Sequence, residues 1–242
     1  MMKFLVTGAN GDIAEAVQKI LIKTFPNCII HGTDSSGLWP GKFYFKKVFK
    51  IPHADSKKYL DYIKTASKNY NLIIPTTEKE IIKLSKSRID CEKILINSKK
   101  VCKIFFDKLE TSKFLQDNNL SFLYTEKIKN FKKKKNKIFI KPRYGSGSKN
   151  LYLAKNFEEF KAFKKVLNNK WIAQEYLYEN EEFTCAIFRS NLKYKELIMK
   201  RVLKDGITYY FETYKNKKIS NILYKLANII DLNGCINVQL KF

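Results

Sequence analysis

The sequence contains no run of about 18 apolar residues, the minimum for a helix that crosses a bilayer, so we predict no membrane span. Its start, MMKFLVTGANGDIAEAV, lacks the basic-then-apolar order of a signal peptide and is predicted to begin directly with a strand. The 5 cysteines are odd in number, widely spaced and set in apolar stretches, a pattern that favours reduced core thiols over disulfides or a zinc site. We therefore expect a cytoplasmic protein.

Arginine is scarce, although the formal net charge is +24. Nearly all of the positive charge comes from lysines scattered along a chain that is also rich in Ile and Asn, which is typical of an AT-rich coding bias. The densest basic run, FKKKKNK at 131–137, stands just before a predicted strand, where a solvated turn is the ordinary explanation. A non-catalytic module that binds polyanions stays an alternative, and we expect no specific nucleic-acid partner.

The apolar fraction of 45% and the aromatic fraction of 14% indicate a globular chain, and 242 residues suffice for one large or two modest domains. Up to about residue 95, strands and helices alternate, which is typical of a parallel α/β sheet. The predicted strands there are KFLVTG, CIIHGTD and NLIIPTT, and the predicted helices are DIAEAVQKILIKTF, SKKYLDYIKTASKNY and EKEIIKLSKS.

The remainder begins with a helical stretch, SKKVCKIFFDKLETSKFLQDNNL, and changes to strands from about residue 126. The predicted strands are KIFIKP, NLYLA, KWIAQEYL, EFTCAIFR, KELIMKRVL, TYYFET and CINVQLKF, and the helices among them are NFEEFKAFKKVLNN and SNILYKLANIIDL. The 2 histidines, His31 and His53, stand alone and are interpreted as structural.

Glycine is also scarce, at 9 residues, and two loops contain two glycines each. The first loop, VTGANGD, contains Gly8 and Gly11, and Asp34 closes the next strand, where a ribose-binding acid of a dinucleotide fold would stand. The spacing is G-x-x-G without a third glycine, so the match is partial. A Rossmann-type oxidoreductase stays open as an alternative to a tight strand–helix turn in which Asp34 caps a loop.

The second loop, KPRYGSGSKN, joins two predicted strands and lacks the order of a Walker loop. Gly145 and Gly147 permit positive φ and exposed N–H groups, Ser146 and Ser148 add hydroxyl donors, and Lys141 can place an ammonium group beside the same anion. The loop is therefore either an anion-binding loop or a plain hairpin turn.

Features on either side of this loop favour a nucleotide. A carboxylate at Glu182 can accept both hydroxyls of a ribose, and the backbone from Glu175 to Leu177 can form hydrogen bonds with an adenine edge. Upstream, Asp107 and Lys108 stand at a predicted helix start and offer a second cation for phosphate. Each residue taken separately is explained by surface charge, but their order along the chain points to one site.

That order resembles the ATP-grasp ligases over essentially the whole chain, most closely the carbamoyl-phosphate synthetase large-chain type, and it is also similar to biotin carboxylase. The resemblance implies an α/β and α+β fold, in which a parallel pre-ATP-grasp domain precedes an ATP-grasp fold with a mobile lid subdomain, missing its last strands. The implied limits are a pre-ATP-grasp domain at 1–95, a helical connection at 96–125, the lid subdomain at 126–177 and an incomplete core subdomain at 178–242.

The resemblance also implies the roles of the site residues. Lys108 and Lys141 would hold the nucleotide phosphates, under a flexible lid loop from Gly145 to Ser148. The other implied contacts are Glu175, Tyr176 and Leu177 at the adenine, Glu182 at the ribose, Gly206, Ile207 and Thr208 in a segment that closes the site, and Gln239 as the first magnesium ligand. Lys200 and Arg201 of LIMKR would face an acyl phosphate, or merely solvent.

By this resemblance, ATP and Mg²⁺ would serve to activate a carboxylate as an acyl phosphate for attack by an amine or similar nucleophile, so the partners would be small molecules. The family continues with a strand that bears a glutamate and with an Asn-Pro-Arg stretch, which complete its magnesium site. This chain ends at Phe242, before both. We therefore expect an inactive or impaired chain that binds nucleotide weakly and depends little on magnesium.

Overall fold

A computed structural model of the chain describes residues 1–36, 40–87, 89, 92–121, 123–145, 150–178, 181–191, 193–204 and 207–241. The chain divides into two compact units, Met1–Lys99 and Lys100–Phe242. The first unit contains strands β1 (Lys3–Thr7), β2 (Ile29–Asp34), β3 (Lys47–Lys50) and β4 (Leu72–Ile74), and helices α1 (Asp12–Thr24), α2 (Lys58–Ala66) and α3 (Glu78–Ser85).

The strands of the first unit form one parallel sheet in the order β3-β2-β1-β4. Successive side chains of a strand point to opposite faces, so β1 contributes to a core on each side. Phe4 and Val6 belong to one buried cluster and Leu5 belongs to the other. The parallel α/β arrangement predicted for this section is confirmed. Strand β3 was not predicted, because the short sequence KVFK is lysine-flanked and half-exposed.

The second unit contains two further sheets. Its strands are β5 (Thr125–Lys127), β6 (Ile138–Pro142), β7 (Tyr152–Ala154), β8 (Trp171–Glu175), β9 (Glu182–Ser190), β10 (Lys193–Lys204), β11 (Ile207–Thr213) and β12 (Gly234–Lys241). Its helices are α4 (Lys99–Phe105), α5 (Lys108–Asp117), α6 (Phe157–Val166) and α7 (Lys217–Ile229). The strand orders are β5-β8-β6-β7 and β11-β10-β9-β12, and every described pairing is antiparallel.

Each of these sheets has its own core. Phe131, Ile138 and Phe160 are among the buried side chains of the first, and Phe183, Ile219 and Leu223 are among those of the second. The single helical stretch predicted upstream is in fact two helices, because Asp107 has extended backbone angles of φ −111° and ψ 106° and caps the start of α5. The strands and helices predicted downstream of it are confirmed.

In the part of the chain that the structure describes, no helix has both the length and the apolar character required to cross a bilayer. The described cysteines are free thiols, as predicted. Cys102 and Cys185 are buried, Cys28 is half-buried and Cys235 is exposed, so the interpretation as core thiols is wrong for Cys235. It alternates with half-buried residues on β12, an edge strand of its sheet.

Candidate functional site

A cavity of about 370 Å³ lies within the second unit. The elements around it are the end of α4, helices α5 and α7, and strands β6, β8 and β12. Its lining residues are Phe105, Lys108, Thr111, Ser112, Lys141, Gln174, Leu226, Ile236, Asn237, Val238 and Gln239. The structure therefore brings together three residues that the sequence placed in one site, namely Lys108, Lys141 and Gln239.

Lys141 projects from β6 and its side chain is half-buried. Its Nζ donates a hydrogen bond of 2.8 Å to Oε1 of Gln174. Burial and the nearby positive charge of Lys108 lower the pKa of Lys141 to about 8. Lys141 has no ion pair among the described residues, so an anion in the cavity would offset the cost of partly desolvating its ammonium group.

Lys108 is the first residue of α5 and its placement depends on the loop that follows β6. Its backbone N–H donates to the carbonyl of Arg143 at 3.1 Å, and its Nζ donates to the carbonyl of Gly145. Gly145 has a φ of +109°, a conformation open mainly to glycine. The start of the glycine loop is thus hydrogen-bonded to the helix that carries one cavity lysine.

Asp107 holds the same two segments together. Its carboxylate caps α5 by accepting from the N–H of Leu109 at 3.1 Å, and it also accepts from Arg143 Nη2 at 2.6 Å and from the hydroxyl of Tyr144 at 2.9 Å. Burial acts to raise the pKa of Asp107, but hydrogen bonds from Arg143 and Tyr144 lower it overall. The sequence had identified Asp107 as a helix start, but the part played by Arg143 was missed.

Part of the predicted site lies outside the described residues, namely Ser146, Gly147, Ser148 and Gly206. The side chain of Ile207 is likewise outside the description, while Thr208 is exposed on β11.

The predicted adenine hinge follows the end of β8. The N–H of Glu175 donates to the carbonyl of Tyr124 at 3.1 Å, and the Glu175 carboxylate lies 3.2 Å from Lys133 Nζ and 3.3 Å from Lys135 Nζ. Burial acts to raise the pKa of Glu175, but hydrogen bonds from the N–H of Tyr124 and from these two lysines lower it overall. Lys133 and Lys135 of the lysine-rich run thus hold this segment in place, whereas the sequence predicted only a solvated turn there.

Beyond Glu175, the hinge contains two tyrosines, of which Tyr176 is half-buried and Tyr178 is exposed. The rings of Tyr176 and Tyr178 meet edge to face with centroids 5.1 Å apart, and Lys137 Nζ lies 4.9 Å from the Tyr178 centroid. Leu177 is 36% exposed. The backbone N–H of Glu175 is already hydrogen-bonded, so its backbone can offer only the carbonyl to an adenine base.

Glu182, at the start of β9, lies in register with Arg201 on one neighbouring strand and with Lys241 on the other. Lys241 Nζ is 3.2 Å from Glu182 Oε1. Arg201 Nε is 3.7 Å from Glu182 Oε2, too far for a hydrogen bond, and both of these buried atoms lack a hydrogen-bond partner among the described residues. The arrangement leaves a buried acceptor and a buried donor side by side.

Arg201 and Lys200 are neighbours on β10 and therefore point to opposite faces of the sheet. Arg201 Nη2 donates to Oε1 of Gln239 at 3.2 Å, whereas Lys200 Nζ lies 2.5 Å from a carboxylate oxygen of Glu181. The described residues that line the cavity include neither Lys200 nor Arg201. The two predicted acyl-phosphate residues are thus not brought to one place.

The residues around Gln239 do not fit a resident magnesium ion. Mg²⁺ prefers carboxylate oxygens, and the described residues contain no cluster of three or more His, Cys, Asp or Glu side chains able to hold a metal. The amide oxygen of Gln239 instead accepts a hydrogen bond from the Arg201 guanidinium. A second cation beside that guanidinium would be repelled.

The first unit holds the other glycine loop, VTGANGD. Gly8 has a φ of +64°, and the N–H of Gly11 donates to its carbonyl at 3.0 Å, which closes a tight turn. The Asp34 carboxylate accepts from the N–H of Ser36 at 2.8 Å and from the N–H of Asn10 at 3.3 Å. Asp34 therefore caps its own loop, and the oxidoreductase alternative is not supported.

Comparison with protein families places a match to the ATP-grasp domain over residues 105–240. Comparison with curated protein sequences gave no match.

Solved structures of similar fold include synthetases and an L-amino acid ligase. N5-carboxyaminoimidazole synthetase from Staphylococcus aureus, complexed with ADP, has a TM-score of 0.77 and 14% identity, and the match covers 100% of this chain and 66% of that one. Carboxyaminoimidazole ribonucleotide synthase from Aspergillus clavatus, complexed with ATP, has a TM-score of 0.73 and 12% identity, with coverages of 99% and 66%. L-amino acid ligase from Bacillus licheniformis has a TM-score of 0.71 and 12% identity, with coverages of 100% and 64%. The likeness establishes the fold. The chain spans between 64% and 66% of the length of these three proteins.

Proposed function

Because the chain belongs to the ATP-grasp domain family, we propose that it binds ATP with the phosphates in the cavity beside Lys108 and Lys141. The observation that carries the proposal is the convergence of these two ammonium groups from α5 and β6 on one cavity. No carboxylate is among the described lining residues, so these residues present a net positive charge to the cavity.

The remaining nucleotide contacts belong to the same proposal. The carbonyl of Glu175 and the backbone through Leu177 would bind the adenine edge, with Tyr176 beside it. Glu182 would bind the ribose, since its buried Oε2 lacks a hydrogen-bond partner among the described residues and would accept from a hydroxyl. The glycine loop from Gly145 to Ser148 would cover the phosphates, and the segment from Gly206 to Thr208 would close the site.

The reaction we propose is that of an ATP-dependent carboxylate–amine ligase. ATP transfers its terminal phosphoryl group to a carboxylate, and an amine then displaces phosphate from the acyl phosphate. In such chemistry the protein chiefly positions groups and neutralises developing charge. Lys141 and Lys108 would do so on the phosphates, and Arg201 rather than Lys200 would be the cation on the nucleotide face of the sheet.

Magnesium is proposed only as the ion that accompanies the ATP phosphates, because the residues around Gln239 do not fit a resident ion. We also propose a narrower likeness to carbamoyl-phosphate synthetase, small-molecule carboxylate and amine partners, and a cytoplasmic location. The proposed domain limits are 1–95, 96–125, 126–177 and 178–242. The fold relatives include an L-amino acid ligase, which supports a small carboxylate as substrate class.

The test is a thermal-shift panel of Mg·ATP, NAD and a short oligonucleotide, followed by calorimetry on Lys141→Met. We expect a shift with Mg·ATP. We also expect Lys141→Met to weaken ATP binding roughly ten- to a hundred-fold, because a charge-assisted hydrogen bond is worth about 1.5–3 kcal/mol. Lys195→Met, an exposed position on β10, is the matched control and should bind as the unchanged chain does. A thermal shift with NAD or with the oligonucleotide, but none with Mg·ATP, would contradict the proposal.

A further inference from the structure

A line of hydrogen bonds runs from the cavity across three strands of one sheet. Lys141 Nζ donates to Gln174 Oε1 at 2.8 Å, Gln174 Nε2 donates to Thr125 Oγ1 at 2.7 Å, and Thr125 Oγ1 donates to the Leu123 carbonyl at 3.3 Å. An ammonium group can only donate, so the amide oxygen must face Lys141 and the amide nitrogen must face Thr125. Every group in the line thus has a defined role as donor or acceptor.

The sheet order explains why this line forms. Thr125 lies directly opposite Gln174 across β5 and β8, and Gln174 lies opposite Phe139 across β8 and β6. Lys141 is two residues beyond Phe139 and so projects from the same face, diagonal to Gln174. Thr125 is buried, which holds the far end of the line in place.

We propose that Gln174 is a positioning residue of the nucleotide site, which aims the Lys141 ammonium at the cavity through a neutral amide and so keeps its full charge available to a phosphate. The inference rests on the proposed function, because it requires a phosphate in the cavity. A neutral acceptor takes one ammonium proton and leaves two for the ligand. A carboxylate at the same place would compete with phosphate for the charge.

The surroundings of Lys141 agree with this assignment. Gln174 and Gln239 are neutral, the Phe139 ring centroid lies 5.7 Å from Nζ, and Lys108 on α5 adds a second positive charge. Among the described lining residues, Lys108 and Lys141 alone carry charge. Since burial and Lys108 lower the pKa of Lys141 to about 8, the ammonium loses its proton in an accessible pH range. Bound phosphate would restore the proton, so affinity falls as the pH rises through about 8.

The experiment is calorimetric titration of the whole chain with ADP between pH 6.5 and 9.5, for the unchanged chain, Gln174→Glu and Gln174→Leu. We expect the affinity of the unchanged chain to fall by up to about tenfold per pH unit above about 8. Gln174→Glu should bind ADP at least about tenfold more weakly at pH 7, with a flat profile across pH 8 to 9, because a carboxylate neighbour holds the proton on Lys141. Gln174→Leu should also bind more weakly, with its fall shifted to lower pH.

The control is Asn130→Asp, which adds the same charge at an exposed position of the same unit and should keep the profile of the unchanged chain. Thermal unfolding of each variant establishes that it is folded. If the folded unchanged chain binds ADP and Lys141→Met weakens this binding, but both Gln174 variants keep its affinity and pH profile, the inference about Gln174 is overturned and the proposed function stands. If the unchanged chain binds neither ATP nor ADP at any pH, the proposed function fails and the inference fails with it.

Discussion

Asp107 and Arg143 form a two-point ion pair, in which Arg143 Nε lies 2.7 Å from Oδ1 and Nη2 lies 2.6 Å from Oδ2 of the carboxylate. Asp107 immediately precedes Lys108, and Arg143 follows Lys141 by two residues. The pair therefore connects the two chain segments that carry the cavity lysines. It is mostly buried, since the side chains are 8% and 18% exposed.

Arg143→Lys should lower the free energy of unfolding by about 1.5–3 kcal/mol, the contribution of a hydrogen bond to a charged group. A lysine ammonium cannot reproduce the two parallel hydrogen bonds of a guanidinium. Urea denaturation measures the loss. Arg189→Lys is the matched control, because Arg189 pairs with Asp231, whose side chain is 91% exposed, and it should cost no more than about 1 kcal/mol. Equal costs for both variants would remove the special role of Arg143.

Acid should weaken the same contact. The folded pKa of Asp107 is lowered, so its contribution to stability is fully present above the ordinary carboxyl pKa of about 4 and is lost as the pH falls through the folded value. Asp107→Asn should therefore be less stable than the unchanged chain at pH 7, and the difference should shrink as the pH falls below about 4. Thermal unfolding at a series of pH values tests this. A difference that stays constant down to pH 2 would speak against it.

Glu182→Gln should weaken the binding of ATP and of ADP by the same factor, because both nucleotides carry the same ribose. Pyrophosphate has no sugar, so its affinity should not fall, and competition titrations with the three ligands would show this. Glu181→Gln is the control, because Glu181 pairs with Lys200 on the other face of the sheet. A loss of affinity for ATP without a loss for ADP would contradict the ribose contact.

Gly8→Ala should destabilise the first unit by about 1–3 kcal/mol. Its φ is +64°, and an added Cβ would come within 2.7 Å of Thr76 Oγ1 and of Thr77 Cγ2. Gly11→Ala is the matched control in the same loop, since its Cβ would approach the Gly8 carbonyl no closer than 3.4 Å. Hydrogen exchange of β1 reports on this unit. Loss of NAD binding in place of loss of stability would favour the rejected dinucleotide interpretation.

The sequence predicted those parts of the molecule that depend on neighbouring residues. Apolar spacing identified the alternating elements of the first unit, and an aspartate before a lysine marked the start of α5. Lys108 and Lys141 were placed in one site through family order, and the cavity contains both. These features are encoded within short stretches of chain.

Contacts that depend on the order of strands could not be predicted. Arg201 reaches Gln239 because β9 lies between β10 and β12, and Gln174 reaches Lys141 because β8 lies beside β6. In the sequence, Gln174 is only a polar residue near the end of an apolar strand. Lys133 and Lys135 likewise looked like part of a solvated turn, and only folding brings them to Glu175.

The surroundings of Gly145 have room for a Cβ atom. An added Cβ would meet no atom of the described chain within 4 Å, yet the φ of +109° is one that L residues rarely adopt. The size of a side chain therefore does not restrict this position, but the chirality of L residues does. A residue of the opposite chirality, such as D-alanine introduced by chemical ligation, would adopt this angle without strain. Among ribosomally encoded residues, only the achiral one meets that stereochemical requirement without cost.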